Sequence, residues 1–262
     1  MLMPLSPPAP PGPPAAPPAQ LVWSEEFDGD QLDSTKWAYD TGSHGWGNQE
    51  WQDYTASTEN VRVEDGHLTI EAKRGHNGND FFYTSGRIKT QGKFTFTYGT
   101  LEARVKLPFG QGVWPALWTL GSNIGAVGWP ACGETDIVEV FGTRYDKQVY
   151  STVHTRAANH MDGTNGLVGS AFTPVLDLDT AYHNYRLIWD EHHMQVAVDG
   201  VPHYAFEKPA GASSDVWPFD EPVFLILNIA IGGNGAGQSP DPALWDYGRR
   251  VTYEVDYIRL YQ

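Results

Sequence analysis

The sequence predicts an all-β protein, two antiparallel sheets packed face to face as a β-sandwich of jelly-roll type. Three observations carry that expectation. Apolar and polar residues alternate with period 2 in many short runs, which is the pattern of strands with one buried face. Gly, Pro and Asn/Asp turn signals fall between these runs. Helical periodicity is almost absent; only Pro242 to Tyr247 could form a turn of helix. At 262 residues the chain suits one large β domain of about a dozen strands, a size such domains reach without splitting.

Nine of the 19 prolines precede Ala19. Residues 1–20 are therefore expected to form a proline-rich, extended linker outside the fold. Met1-Leu2-Met3 has neither the charged nor the apolar region of a signal peptide. A single domain is expected over residues 21–262. His67 to Ala72 alternates. Leu101 to Leu107 does so more cleanly, placing Leu101, Ala103, Val105 and Leu107 on the inner face. Met194 to Val198 and Val201 to Phe206 are joined by Asp199-Gly200, a two-residue hairpin turn. Val223 to Ile231 is apolar on both faces and should be a central strand. Thr252 to Tyr261 alternates again and closes the chain. Three polar, glycine-rich loops, Thr41 to Tyr54, Gly121 to Trp129 and Arg156 to Ser170, are placed to carry function. In the last, Asn159 to Gly163 offers one His and one Asp, too few donors for a metal loop.

Composition narrows the partners. A net charge of −15 with 17 Lys and Arg excludes a nucleic-acid polyanion and argues more weakly against sulfated polysaccharide. Ten Trp and 13 Tyr exceed what a core needs, and flat aromatic faces suit the apolar faces of sugar rings. A single cysteine, Cys132, excludes an intrachain disulfide. No apolar run is long enough to cross a bilayer as a helix.

The most informative stretch is Gly133 to Val140, GETDIVEV. It sets Glu134, Asp136 and Glu139 within a run that otherwise reads as a strand, although acids are depleted in strands and crowded carboxylates repel. Regular alternation would turn Glu139 away from the other two; a bulge at Ile137-Val138 would return all three to one face. An acidic edge strand or a metal site are the bland readings. Against them, Ile137, Val138, Val140 and Phe141 make the opposite face apolar. Two glutamates on one strand face, flanked by Trp114, Trp118 and Trp129, fit glycoside hydrolysis. That reaction needs one ionised and one protonated carboxyl group across a glycosidic bond. Crowding raises at least one pKa and supplies the proton donor.

Trp129 to Glu139, WPACGETDIVE, resembles the active-site strand of the family 16 glycoside hydrolases, in particular the laminarinase (endo-β-1,3-glucanase) branch. The resemblance runs from about Leu21 to Gln262. It includes LVWSEEFDG near the start, WGNQEWQDYT at Trp46 to Thr55, SGRI at Ser85 to Ile88, GVWPALWTLG at Gly112 to Gly121, TVHT at Thr152 to Thr155 and the closing YEVDYIRLYQ. It implies a jelly roll of two curved antiparallel sheets with an open cleft on the concave face, and retaining, endo-acting cleavage of β-1,3-glucosidic bonds in laminarin-like β-glucans. By the same resemblance Glu134 is the nucleophile, Glu139 the general acid/base, and Asp136 hydrogen-bonds the nucleophile. Trp114 and Trp118 match sugar-stacking positions, and Asn48, Arg87 and His154 match groups that bind substrate or lie beside the acid/base. Trp46 and Trp129 are added as candidate sugar contacts. Core packing for Trp118, loop packing for Trp46 and a structural role for His154 stand as the alternatives. The resemblance also implies a structural calcium held by Glu26, Gly66 and Asp256, hard oxygen donors away from the cleft. No cofactor is implied for catalysis.

The implied partner is a β-glucan polysaccharide, with neither nucleic acid nor membrane, and the implied protein is a secreted monomer. Thr135, Val138 and Trp51 depart from the pattern, the first two by being smaller. They should point away from substrate or lie in the bulge, whereas Trp51 puts chain-length preference in question. Cys132 reads as a small buried residue. Mixed-linkage β-1,3-1,4-glucanase is the nearest alternative activity. A non-catalytic β-glucan-recognition domain is a further one, although such proteins lack the acids present here. Agar or carrageenan hydrolysis conflicts with the acidic composition.

Overall fold

Among the described residues, alternation and turn chemistry produce 17 strands in two sheets, more than the dozen the pattern suggests. The computed structural model describes residues 19–77, 80–142, 147–164, 168–237 and 250–262, leaving aside the side chains of residues 76, 77, 80 and 81. Pro242 to Tyr247 and nearly all of the proline-rich segment lie outside these. The outer sheet of ten strands runs β15 (Val201–Glu207), β14 (His193–Val198), β13 (His183–Trp189), β8 (Gly99–Lys106), β17 (Arg250–Tyr261), β5 (His67–Asn77), β6 (Asp80–Ser85) and β3 (Gln52–Tyr54). β1 (Leu21–Glu25) adds to β17, and β4 (Val61–Glu64) to β5. The inner sheet of seven runs β12 (Ser170–Pro174), β11 (Gln148–His154), β10 (Glu134–Glu139), β9 (Val113–Gly121), β16 (Val223–Ile231), β7 (Arg87–Lys89) and β2 (Ala38–Tyr39). Two single-turn helices, α1 (Ile124–Val127) and α2 (Gly233–Ala236), interrupt the loops. Pairing is antiparallel except between β3 and β6, which run parallel.

The predicted strands fall where the pattern placed them. Leu101, Ala103, Val105 and Leu107 are all buried in the core between the sheets. β16 is buried along its whole length and lies between β9 and β7, as its two apolar faces require. Truncating one of its core residues, such as Leu227 to Ala, would cost about 2–5 kcal/mol. Asp199 and Gly200 take φ of 48° and 80°, the left-handed pair that a tight hairpin between β14 and β15 needs. Along one edge the two sheets are stitched together. The Ser85 hydroxyl donates to the Ile229 carbonyl at 2.7 Å, and the buried Gln52 side-chain oxygen accepts from the Ile231 amide at 2.7 Å. At the margin of the β1–β17 ladder, Gln20 and Gln262 exchange two backbone hydrogen bonds of 2.7 and 2.9 Å.

The sandwich core is not the only one. Leu120, Cys132, Phe224 and Ile226 form a second buried cluster, with Trp118, Ile124 and Trp129 against it. These residues sit on the face of the inner sheet that looks away from the outer one, so residues 121–133 fold over one end of that face. Cys132 is buried there as expected, and burial pushes its thiol up to about 11.

Candidate active site

β10 carries the bulge the acid spacing requires. Against β9, Glu134 lies opposite Leu120, Asp136 opposite Trp118 and Glu139 opposite Ala116; the register slips between Asp136 and Val138. The partners on β9 are each two residues apart, so all three carboxylates share one face. Ile137 and Val138 both turn into the sandwich core. The bulge is anchored from beneath: the fully buried Ser151 hydroxyl donates to the Ile137 carbonyl at 2.7 Å and meets His203 Nε2 at 2.9 Å. Because the hydroxyl proton is spent on Ile137, His203 must be the donor to Ser151, and burial lowers its pKa. Gly133 enters the strand with φ 78°, and a Cβ there would come within 2.7 Å of Pro218.

Register then builds the floor of a cleft of about 360 Å³. One row across the inner sheet reads Arg87, Asn228, Ala116, Glu139, Tyr150 and Phe172, and the next reads Ile226, Trp118, Asp136, Thr152 and Ser170. A third sets Glu134 between Leu120 and His154. Trp46, Asn48, Arg87, Trp114, Trp118, Glu134, Asp136, Glu139 and His154 all line this cleft. Each glutamate has its own indole donor: Trp114 Nε1 to Glu139 at 2.8 Å, and Trp129 Nε1 to Glu134 at 2.6 Å. The Trp114 ring lies so close over Gly235 that a Cβ there would meet it at 2.4 Å. Trp118 donates to Asn228 at 2.8 Å. Its ring and that of Trp46 lie 4.9 and 4.7 Å from the Arg87 guanidinium, which Asp40 holds at 3.0 Å. Trp118 and Trp46 thus fix a cation as well as lining the cleft. Trp51 does not line the cleft; it packs against Gly232 and Tyr83 at the rim. Thr135 and Val138 are buried away from it.

Burial sets the charge state. It raises Glu134 from 4.5 to about 8, helped by the neighbouring Asp136; His154, the Trp129 hydrogen bond and Arg87 pull the other way. Burial raises Asp136 to about 7, tempered by its hydrogen bond with Glu134. Glu139 is raised well above the usual carboxylate range, by burial first and then by Asp136, against the Trp114 hydrogen bond and His154. Burial thus favours a protonated carboxyl group at Glu139, as a proton donor requires. His154 Nε2 lies 3.2 Å from Asp136 Oδ2 and 3.8 Å from Glu134 Oε1. Glu134, Asp136 and His154 offer atoms within 4.8 Å of one another, a spacing that could also take a divalent cation.

Several cleft residues carry no signal in the sequence reading. Glu50 is a fourth carboxyl group in the cleft, partly buried and raised by that burial. It accepts hydrogen bonds from Asn48 at 3.3 Å and Gln52 at 2.6 Å. Asn228, Tyr150 and His160 join it in the lining, and so does Phe141, which the sequence placed on the opposite apolar face: two residues beyond Glu139, it shares that residue's face. The proposed calcium donors Glu26 and Asp256 also meet cations. The Glu26 carboxylate is bound through both oxygens by Arg259, at 3.0 and 2.7 Å. Asp256 Oδ2 pairs with Arg104. Arg259 thus competes for the Glu26 carboxylate and leaves its carbonyl, whereas Asp256 keeps Oδ1 and its carbonyl.

Comparison with known proteins gives a consistent set. The model for "Glycosyl hydrolases family 16" matches residues 48–258. A beta-glucanase of Rhodothermus marinus is 44% identical over 253 residues, covering 93% of this chain and 85% of the relative. The solved laminarinase of Flavobacterium sp. UMI-01 is 40% identical with a TM-score of 0.84, covering 93% of this chain and all of the other. SCLam, a non-specific endo-beta-1,3(4)-glucanase, is 39% identical with a TM-score of 0.84, covering 96% and 94%.

Proposed function

The chain belongs to the family 16 glycosyl hydrolases, and on that premise we propose how its cleft works as a β-glucanase. It is a retaining, endo-acting glycoside hydrolase that cleaves β-1,3-glucosidic bonds, the activity its relatives are named for. The observation that carries the assignment of roles is the bulged strand: three acids on one face, each glutamate held by its own tryptophan. Glu134 attacks the anomeric carbon as the glycosidic bond breaks, and Glu139 gives its proton to the departing oxygen. Glu139, now ionised, takes a proton from water, whose oxygen displaces Glu134 and completes retention. His154, Arg87 and the Trp129 indole beside Glu134 favour its ionised form. The preference for β-1,3 over mixed linkages is our finer reading, and the non-specific SCLam keeps the mixed-linkage activity as a second one.

A structural calcium would be held by the carbonyls of Glu26, Gly66 and Asp256 and by Asp256 Oδ1, hard oxygens that suit the ion; water completes its shell. Residues 21–262 are read as one catalytic domain preceded by a proline-rich linker, in a secreted monomer.

The roles are tested by replacing Glu134 and Glu139 separately with Ala and adding azide. Each variant should lose roughly 10³-fold or more in kcat. Azide should rescue the first as the α-glycosyl azide and the second as the β-glycosyl azide, with an activated aryl glycoside as donor. The opposite anomers, or a variant keeping a tenth of its turnover, would overturn the assignment.

A further inference from the structure

We propose that Phe172, backed by Tyr150, is a stacking platform for the glucan chain on the leaving-group side of the cleft. This rests on the glucanase reading above. β12 is the edge strand of the inner sheet, and it alternates: Ala171 packs on the sandwich core, while Phe172 points to the opposite face and is 57% exposed. That face is the cleft floor, because Glu139 pairs with Tyr150 and Tyr150 with Phe172. A lone exposed phenylalanine would need no explanation. This one ends a continuous aromatic path. Ring centroids run from Trp114 to Phe141 at 5.5 Å, Phe141 to Tyr150 at 5.1 Å and Tyr150 to Phe172 at 5.6 Å. Tyr150 is buried and its hydroxyl donates to Gln148 at 2.7 Å, which fixes the ring that supports Phe172.

The side of the cleft follows from its walls. Toward β9, β16 and β7 the floor is closed in by Trp46, Asn48, Arg87 and Trp118, groups that can hold the sugar under attack. Toward β11 and β12 it runs, among the described residues, past His160 and Ser170 to the sheet edge, and there the departing chain can lie. Two strand spacings separate Phe172 from Glu139, about 10 Å, so the platform meets sugar beyond the first leaving unit. The occupant is thus a pair or more of β-linked glucosyl units continuous with those in the cleft.

The test compares Phe172→Ala with wild type on two substrates. One is a β-1,3-linked oligosaccharide long enough to span both sides; the other is an aryl β-laminaribioside, whose leaving group is too short to reach the platform. The variant should lose roughly tenfold in kcat/KM on the oligosaccharide, the loss that about 1.4 kcal/mol produces. It should stay within about twofold on the aryl substrate, and Phe172→Trp should restore the oligosaccharide rate. Equal losses on both substrates, or none on either, would overturn the platform. If wild type cleaved neither substrate, the glucanase reading itself would fall, and the platform with it.

Discussion

Replacing Glu134 with Gln should make the protein more stable, and by an amount that depends on pH. Below about pH 4.5 the carboxyl group is protonated in both the unfolded and the folded chain, so burial costs little. Above that, the unfolded chain releases its proton while the cleft holds it until about pH 8. The folded state binds more protons across this window and loses stability steadily as pH rises. From 4.5 to about 8, at about 1.4 kcal/mol per pH unit, the loss is roughly 5 kcal/mol. The amide of Gln does not titrate and escapes it. Its cost is the bond from Trp129, about 1–3 kcal/mol if the amide nitrogen faces the indole. At least about 2 kcal/mol remains, a rise in Tm of roughly 4–8 °C at pH 8 for a chain of this size. Thermal unfolding of both proteins between pH 4.5 and 8.5, followed by circular dichroism, reads this out. The Tm difference should rise from zero or below at the acid end, where only the Trp129 bond counts, to a positive plateau near pH 8. A difference that stays flat with pH, or a wild type that is the more stable at pH 8, would refute the argument that burial of Glu134 stores this energy.

Two further outcomes are expected. Ser151→Ala strips the Ile137 carbonyl and His203 of their partner, so unfolding should become easier by about 1–3 kcal/mol. Turnover of an aryl glycoside should fall several-fold with KM unchanged, since the bulge that aligns Glu134 and Glu139 loses its support; an unaltered kcat would show that the bulge holds without Ser151. Chelator should lower the Tm and added calcium restore it, because a ligand of the folded state alone stabilises by mass action. Glu26→Gln should leave that response in place, as its carboxylate serves Arg259; loss of the response in this variant would place the carboxylate in the ion's shell.

The sequence reveals features that break a local rule. Three acids in an apolar strand violate alternation, and one inserted residue is the single repair that keeps Ile137 and Val138 inside. Trp114 and Trp118 share parity with each other, so their common face is readable too. β16 declares its central place by having no polar face. Residues such as Tyr150, Phe172 and Asn228 are different. Each looks like ordinary strand alternation, and becomes part of the cleft only through the register of β11, β12 and β16 against β10 and β9. Glu50 lies in a loop whose course depends on β3 reaching β6 in parallel, a contact between strands too short to show a period. β2, β3 and β7 have two or three residues each, which is why the strand count came out low.

The paired backbones of Gln20 and Gln262 make the catalytic unit topologically a near-closed loop. A circular permutant is the natural consequence: a short glycine linker could join these two positions, and new ends could be opened at the exposed Asp199-Gly200 hairpin without cutting either sheet's interior. The same closeness means that tethers fused before residue 20 and after 262 would leave from one point on the outer sheet, on the opposite layer from the cleft. Immobilised through either end, the enzyme would meet a polymer with its groove facing away from the support.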